Sequence, residues 1–217
     1  MKIASYIDHT LLKPTASADE LKKLCAEAAE YTFASVCVNP CNVADAKAML
    51  KDTPVKICTV IGFPLGAGKT ETKVFEAKEA LKDGCDEFDM VINIGKLKDK
   101  DYDFVRADIA AVKEAIGDKT LKVIIETGLL EDDEKVIVSK LCLEAKADFV
   151  KTCTGFAKGS ATVEDIALIK KTVGNNSFIK ASGGVRDLAS ALALIEAGAD
   201  RIGASAGVSI AEEEAKA

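Results

Sequence analysis

The sequence predicts an α/β protein folded as a compact (β/α)8 TIM barrel, because strand-like and helix-like segments alternate along the whole chain. Seven short segments have the apolar, β-branched composition of strands: residues 35–38, 55–61, 87–94, 121–127, 149–152, 178–181 and 201–204. Residues 5–10 make an eighth strand near the start of the chain. Eight βα units fit into 217 residues, which is a small version of this barrel.

The main alternative is a doubly wound open sheet, which is also built from alternating strands and helices. That fold often carries a G-x-G-x-x-G turn after its first strand, where glycines let the backbone approach a phosphate. No such turn follows residues 5–10. The start of the chain therefore favours the barrel.

The helices between the strands carry recognisable start and stop signals. Ser17 and Glu20 form a capping box, in which side chains and backbone at a helix start bond reciprocally. Four later amphipathic segments each end close to a glycine, the residue preferred just past a helix. These segments span residues 70–82, 104–116, 163–173 and 188–197.

A weak internal repeat supports one continuous architecture. Residues 83–86, 145–148 and 197–200 each join a helix to a strand, and each segment ends in aspartate. No linker or low-complexity segment divides the chain, so we expect a single domain over residues 1–217. Residues 211–217 form a polar tail that we expect to fray.

Composition and charge exclude several functional classes. The chain has 29 Lys and Arg against 35 Asp and Glu, so neither nucleic acid nor an anionic membrane is the expected partner. The single histidine, His9, excludes a zinc site built on several histidines. Apolar runs are too short to span a bilayer. The seven cysteines include no C-x-x-C pair and the first ten residues resemble no signal peptide, so we expect reduced thiols and a cytoplasmic location.

Alternation along the strands puts ionisable side chains on the face opposite to the apolar one. Asp89 lies on this face of the fourth strand, and Lys151 and Lys180 lie on it in two successive strands. Asp8 and Thr10 occupy the same face of the first strand. If the apolar faces meet the helices, the barrel lumen is lined with charged groups.

Two buried lysines on neighbouring strands indicate an unusual amine. Adjacent parallel strands lie about 4.8 Å apart, so Lys151 and Lys180 can approach and disfavour each other's charge. Lowering a lysine pKa from about 10.4 to about 7 takes roughly 4–5 kcal/mol of such bias. A neutral lysine amine attacks carbonyl carbons and forms a Schiff base. The alternative is a structural lysine–aspartate network in the lumen, and the pattern alone leaves both open.

Six motifs, in order along the chain, resemble those of the deoxyribose-phosphate aldolases, a family of class I aldolases on a TIM barrel. They are residues 7–14 (IDHTLLKP), 36–40 (VCVNP), 61–66 (IGFPLG), 86–95 (DEFDMVINIG), 151–156 (KTCTGF) and 180–186 (KASGGVR). The similarity extends over nearly the whole chain, from residue 7 to residue 210. It implies cleavage of 2-deoxy-D-ribose 5-phosphate to acetaldehyde and D-glyceraldehyde 3-phosphate.

The resemblance also implies a role for each residue of the lysine group. Lys151 is the Schiff-base lysine, and Lys180 perturbs it and assists proton transfer. Asp89 is the acid/base carboxylate and works through a water molecule. The family needs no metal and no cofactor, and its small-molecule partner is the phosphosugar. A homo-oligomer is left open.

The phosphate end of the site is expected in the loops after the seventh and eighth strands. Glycines there let backbone N–H groups approach an anion, and a helix start favours negative charge. The predicted substrate-binding residues are Asp8, Thr10, Cys37, Gly155, Gly183, Gly184, Gly203 and Ser205. Lys158 and Arg186 are charges close to this region. Departures from the family pattern also fall there, at Cys153, Ala206 and residues 157–160.

Other conspicuous residues have more ordinary interpretations. His9 alternates onto the apolar face, so we expect a structural role for it. Glu126 lies on the lumen face, where it is either a polar contact or the partner of a lysine, and we expect the second. Residues 63–70 come close to a phosphate-binding P-loop, but they lack its first glycine and contain Pro64, which has no backbone donor. The alternative functions are another phosphosugar lyase or isomerase on the same barrel, and a binding protein without turnover.

Overall fold

The computed structural model describes residues 2–217. Its strands are parallel and form a closed barrel in chain order. The eight strands are β1 Ile7–Leu11, β2 Ser35–Val38, β3 Lys56–Ile61, β4 Glu87–Val91, β5 Thr120–Ile124, β6 Phe149–Lys151, β7 Phe178–Ser182 and β8 Arg201–Ala204. β1 and β8 pair through Asp8 and Gly203, which closes the sheet. The predicted barrel is confirmed, and the open sheet is excluded.

Helices connect the strands on the outside of the barrel. Within residues 2–217 they are α1 Ala18–Tyr31, α2 Val43–Leu50, α3 Thr70–Lys82, α4 Ile94–Lys98, α5 Tyr102–Ile116, α6 Asp132–Glu144, α7 Val163–Val173, α8 Leu188–Glu196 and α9 Gly207–Lys216. The boundaries of α3 and α7 agree with the predicted helices over residues 70–82 and 163–173. None of the helices in the described part of the chain has both the length and the apolar character needed to cross a bilayer.

Two predicted strands are shorter in the structure for identifiable reasons. β4 ends at Val91, because the Asn93 side chain caps α4 by accepting a hydrogen bond from Lys96 N at 3.1 Å. β5 ends at Ile124, and Glu126 then adopts a left-handed backbone conformation with a φ of 57°. The residues beyond these points keep the composition of a strand but not its conformation.

The carboxyl-terminal segment is helical and is attached to the rest of the chain by polar side chains, and the fraying of residues 211–217 stays a prediction. α9 runs to Lys216, and its glutamates bond to neighbouring elements. Glu213 accepts a hydrogen bond from Leu188 N at 2.8 Å, and Glu214 accepts one from Ile3 N at 2.9 Å. These polar side chains attach the last helix to α8 and to the start of the chain.

The internal repeat has a structural explanation at the amino-terminal end of the barrel. Asp86, Asp148 and Asp200 each accept a hydrogen bond from a backbone N–H of the preceding strand, at 3.1, 2.7 and 2.9 Å. The backbone N–H of each aspartate donates in return to the carbonyl of that same strand residue, at 2.8, 3.0 and 2.8 Å. The repeated aspartate therefore helps to set the register between successive strands.

The two faces of the strands separate apolar packing from charge. Outward-facing residues such as Val36, Met90 and Ile179 are fully buried in one continuous core with the helices. His9 also faces outward, where its Nε2 lies 2.8 Å from Glu27 Oε2 of α1, in agreement with a structural role. Inward-facing residues such as Asp89 are fully buried although charged. Because buried charge is costly unless it is paired, the lumen requires an ion-pair network.

Candidate active site

Strand register brings the two predicted lysines together. Lys151 of β6 is the direct register partner of Lys180 in β7. Both lysine side-chain nitrogens contact the same atom, Asp89 Oδ2, with Nζ–Oδ2 distances of 2.8 Å for Lys151 and 2.7 Å for Lys180. Lys151 is 3% exposed, and the other two residues are fully buried. The structure thus places the three predicted catalytic residues in one contact group.

A third lysine, Lys122 of β5, belongs to the same group and is absent from the predicted set. Its Nζ lies 2.9 Å from Asp89 Oδ1 and 2.6 Å from Glu87 Oε2. Residues 122, 124 and 126 alternate onto one face of the predicted fifth strand, so the pattern that places Glu126 on the lumen face places Lys122 there as well. The sequence therefore contained the signal for this residue.

Asp8 is fully buried below the lysines, where it joins Lys180 to Arg201. Asp8 Oδ2 lies 2.6 Å from Lys180 Nζ, and Oδ1 accepts hydrogen bonds from Arg201 Nη1 and Ser35 Oγ, each at 2.6 Å. Like Lys122, Arg201 is a lumen cation that is absent from the predicted set. In this arrangement Asp8 holds Lys180 in place, and its position does not support the predicted direct contact with substrate.

The lumen charges shift the pKa values of their neighbours in definite directions. Burial alone would raise the pKa of Asp89, but the charges of Lys122, Lys151 and Lys180 hold that pKa well below its ordinary value. Burial alone would lower the pKa of Lys180, but Asp8 and Asp89 raise it above its ordinary value. Asp89 is therefore a carboxylate and Lys180 an ammonium group at neutral pH, which makes Lys180 the neighbouring cation that the sequence predicts for Lys151.

Apart from the exposed Lys56, whose Nζ lies 3.6 Å from Glu87 Oε1, the ion-paired groups of the lumen contain one more cation than anions. The cations are Lys122, Lys151, Lys180 and Arg201, and the anions are Asp8, Glu87 and Asp89. Among the three lysines, Lys151 is the one that also lines an open cavity, so it is the amine that a carbonyl compound can reach.

A cavity of about 420 Å³ opens at the carboxyl-terminal end of the strands, with Lys151 in its wall. Six of the eight predicted substrate-binding residues line it: Thr10, Gly155, Gly183, Gly184, Gly203 and Ser205. Arg186 lines it too, whereas Lys158 is exposed and outside the lining. A larger groove of about 810 Å³ lies between α6 and α7 but contains none of the lysine group. The smaller cavity is therefore the candidate active site.

Cys37 lies beneath this cavity and does not line it. It is fully buried and is the register partner of both Thr10 and Cys58. Cys37, Cys58 and Asp89 bring two sulfur atoms and a carboxylate oxygen within 4.8 Å of one another, a donor set that a metal ion could use. The Asp89 carboxylate already contacts three lysines, whose positive charge opposes a cation there. These residues therefore fit a metal ion poorly, and direct contact between Cys37 and substrate is not supported.

Two of the departures from the family pattern do not touch the cavity. Cys153 is buried behind the wall, with its Sγ 3.4 Å from Thr127 Oγ1, and Ala206 is also outside the lining. Ser160, within the segment 157–160, lies against Gly184, where an added Cβ would meet Ser160 Cβ at 2.8 Å. Cys153 and Ser160 thus act on the packing behind Gly183 and Gly184.

Gly203 leaves room for the second lysine, so we expect Gly203→Ala to damage the site. An added Cβ would lie 3.0 Å from Lys180 Cε and 2.9 Å from Ser182 Cβ. Overpacking of this kind costs about 1–3 kcal/mol of stability, and displacement of Lys180 should also lower kcat. Urea unfolding and steady-state kinetics measure the two effects. Gly68→Ala is the matched control, because nothing lies within 4 Å of its added Cβ; equal effects of the two variants would contradict the prediction.

Glu126 does not pair with a lysine, so that expectation is wrong. Within residues 2–217, the contacts of its carboxylate are with Thr154, which donates its backbone N–H and its hydroxyl. The reason is the left-handed turn at Glu126, which takes the residue out of the strand alternation.

The sequence pattern that describes the DeoC/LacD family of aldolases matches residues 2–212. The chain belongs to this family. It is 61% identical over 216 residues to a deoxyribose-phosphate aldolase of Thermoanaerobacter sp., covering 98% of this chain and 97% of the relative. The family resemblance stated from the six motifs is therefore confirmed.

Solved structures of aldolases superpose closely on this DeoC/LacD family member. A structure described as QR15, an aldolase, is 44% identical and gives a TM-score of 0.95 over 99% of this chain and 96% of its own. The deoxyribose phosphate aldolase of Aeropyrum pernix, described as a tetramer, is 30% identical and gives a TM-score of 0.90 over 98% of this chain and 91% of its own. Both similarities cover the whole barrel.

Proposed function

We propose that this chain is a deoxyribose-phosphate aldolase, which reversibly cleaves 2-deoxy-D-ribose 5-phosphate to acetaldehyde and D-glyceraldehyde 3-phosphate. The observation that carries the proposal is the position of Lys151. Its amine is accessible from the cavity while sharing one carboxylate oxygen with the charged Lys180. The curated relative that is 61% identical over nearly the whole chain carries the same activity in its name.

The covalent step begins at the C1 aldehyde of the open-chain sugar. Lys151 Nζ adds to C1, and loss of water gives a protonated imine, whose nitrogen is the electron sink. C1 and C2 leave as acetaldehyde, so the bond that breaks is C2–C3. Its electron pair moves toward the imine and forms an enamine, while C3 becomes the aldehyde carbon of glyceraldehyde 3-phosphate.

Proton transfer is assigned to Asp89 and Lys180. The C3 hydroxyl must lose its proton as the C2–C3 bond breaks, and the enamine must gain a proton at C2. Asp89 is fully buried, so it acts on the sugar through a water molecule, as the family resemblance implies. The Lys180 ammonium, 2.7 Å from Asp89 Oδ2, keeps Asp89 ionised so that it can take the C3 hydroxyl proton, and it assists the return of that proton to C2 of the enamine. Hydrolysis of the resulting imine releases acetaldehyde and regenerates Lys151.

The phosphate is assigned to the wall formed by the segments after β7 and β8. Gly183, Gly184 and Ser205 line the cavity there, and Arg186 supplies a positive charge. α9 begins just beyond, at Gly207, and a helix start favours an anion. This end lies above the strand ends, whereas Lys151 reaches the aldehyde from within the barrel.

Borohydride trapping tests the proposal. Incubation with acetaldehyde and sodium borohydride should add one ethyl group to the protein, and peptide mass spectrometry should place it on Lys151. Adding glyceraldehyde 3-phosphate in place of borohydride should yield 2-deoxyribose 5-phosphate. Turnover of a phosphosugar without any adduct would instead indicate another lyase or an isomerase. If the protein forms no adduct and shows no turnover, it is a binding protein.

Other expectations stay predictions for this chain. They are the possible homo-oligomer, which the sequence leaves open, a cytoplasmic location, a single domain, and activity without a metal or a cofactor. Size-exclusion chromatography with light scattering measures the first. Assay after dialysis against a chelator measures the last, and full retention of activity is the expected result.

A further inference from the structure

Glu126 stands just beyond β5 in a backbone conformation that residues other than glycine seldom adopt, with φ of 57° and ψ of 64°. Its side chain is buried, with the residue only 2% exposed. A strained backbone and a buried carboxylate persist only where surrounding contacts hold them. The contacts of Glu126 therefore indicate its role.

The Glu126 carboxylate holds the start of the loop after β6. Thr154 N lies 3.2 Å from Oε1 and 3.3 Å from Oε2, and the Thr154 hydroxyl donates to Oε2 at 2.5 Å. Thr154 Oγ1 accepts in turn a hydrogen bond from Phe156 N at 3.1 Å. Because the Thr154 backbone N–H reaches both carboxylate oxygens, an acceptor-only carboxylate matches the site better than an amide, whose own N–H would face that donor.

The remainder of this loop is attached to the neighbouring strands. Ala161 N donates to Gly183 O at 3.0 Å. At Gly128, an added Cβ would lie only 2.2 Å from Lys158 O, so the loop backbone packs directly on the segment after β5. Between these attachments, Thr154, Gly155 and Phe156 line the active-site cavity; we call them the 154–156 wall.

We propose that Glu126 is a positioning residue that sets the selectivity of the cavity for a phosphorylated sugar, by holding the 154–156 wall in place. This inference rests on the proposed function. The wall lines the same cavity as Gly183 and Arg186, so its position sets the space available to the phosphate. Lys151 is fixed independently, by its strand pairing and by Asp89. Loss of the Glu126 contact should therefore affect phosphate recognition more than imine chemistry.

The test is the selectivity of Glu126→Gln between 2-deoxyribose 5-phosphate and unphosphorylated 2-deoxyribose. Glutamine keeps the length of the side chain but turns an amide N–H toward the donors of Thr154. Loss of a hydrogen bond to a charged group predicts a fall of about tenfold to a hundredfold in kcat/KM for the phosphorylated sugar, expressed mainly in KM. The value for 2-deoxyribose should change less than about threefold, because Lys151 and Asp89 are untouched. Competitive inhibition by inorganic phosphate should weaken in parallel.

Two sets of variants separate positioning from general destabilisation. Thr154→Val removes the hydroxyl donor and should reduce the selectivity for the phosphorylated sugar. Thr154→Ser keeps the donor and should retain most of the wild-type selectivity. Asp148→Asn changes an equivalent contact, since Asp148 accepts a backbone hydrogen bond between β5 and β6 at the opposite end of the barrel. This control should lower the thermal midpoint without changing the ratio of the two kcat/KM values.

Equal losses on both sugars in Glu126→Gln, or no loss on either, would overturn the inference. Borohydride trapping with acetaldehyde, which carries no phosphate, distinguishes this failure from failure of the proposed function. Wild type and Glu126→Gln should both be labelled at Lys151. If both are labelled and the selectivity is unchanged, the role of Glu126 alone is wrong. If the wild type is not labelled, the proposed function fails and this inference fails with it.

Discussion

Replacing Lys151 with methionine is expected to lower kcat/KM for 2-deoxyribose 5-phosphate by at least about 10⁴-fold, because the covalent route is lost altogether. Methionine keeps most of the length of the side chain, and Asp89 keeps Lys122 and Lys180 as partners. The fold should therefore persist. Coupled detection of glyceraldehyde 3-phosphate measures the activity, and intact mass after borohydride trapping should show no adduct.

The matched control for this variant is Lys140→Met, which removes an exposed lysine on α6. It should keep wild-type kinetics and the adduct on Lys151. If Lys151→Met retained more than about 1% of the wild-type kcat/KM, the assignment of the nucleophile would be wrong. An adduct that moved to Lys180 with turnover preserved would reverse the proposed roles of the two lysines.

Local sequence patterns predict this fold well, because residues close together in the sequence determine where each helix and strand begins and ends. Glycine stops and a capping box mark helix boundaries within one turn, and α3 and α7 begin and end where the sequence predicts. Strand alternation also assigns the lumen face correctly, since Asp89, Lys151 and Lys180 meet there. These are properties that neighbouring residues determine among themselves.

Depth within the lumen is not a local property, and this limits the prediction of the site. Asp8 and Thr10 share one face of β1, yet Thr10 lines the cavity and Asp8 is buried below it. Which of the two is at the mouth depends on the stagger between strands, which is set by pairing around the whole barrel. The lysine partner predicted for Glu126 is wrong for another reason: strand alternation no longer applies once β5 ends at Ile124.

Asp89→Asn is expected to disable the site in two separable ways. Turnover should fall by about 10²- to 10⁴-fold, because the acid/base carboxylate is gone. Stability should fall by about 3–5 kcal/mol, since the buried lysines that share Asp89 lose their common anion. Urea unfolding and steady-state kinetics measure the two losses. Asp108→Asn is the matched control: it breaks the buried Lys73–Asp108 pair outside the lumen, so it should lower stability and leave kcat unchanged.

The double variant Asp89→Asn with Lys122→Met distinguishes the electrostatic role of Asp89 from its chemical role. Removing one cation together with one anion leaves the excess charge of the lumen as it is in the wild type, so most of the lost stability should return. Turnover should stay as low as in Asp89→Asn, because no carboxylate remains beside Lys151. Recovery of turnover together with stability would mean that Asp89 only balances charge. Failure to recover stability would show that charge excess does not govern the packing of the lumen.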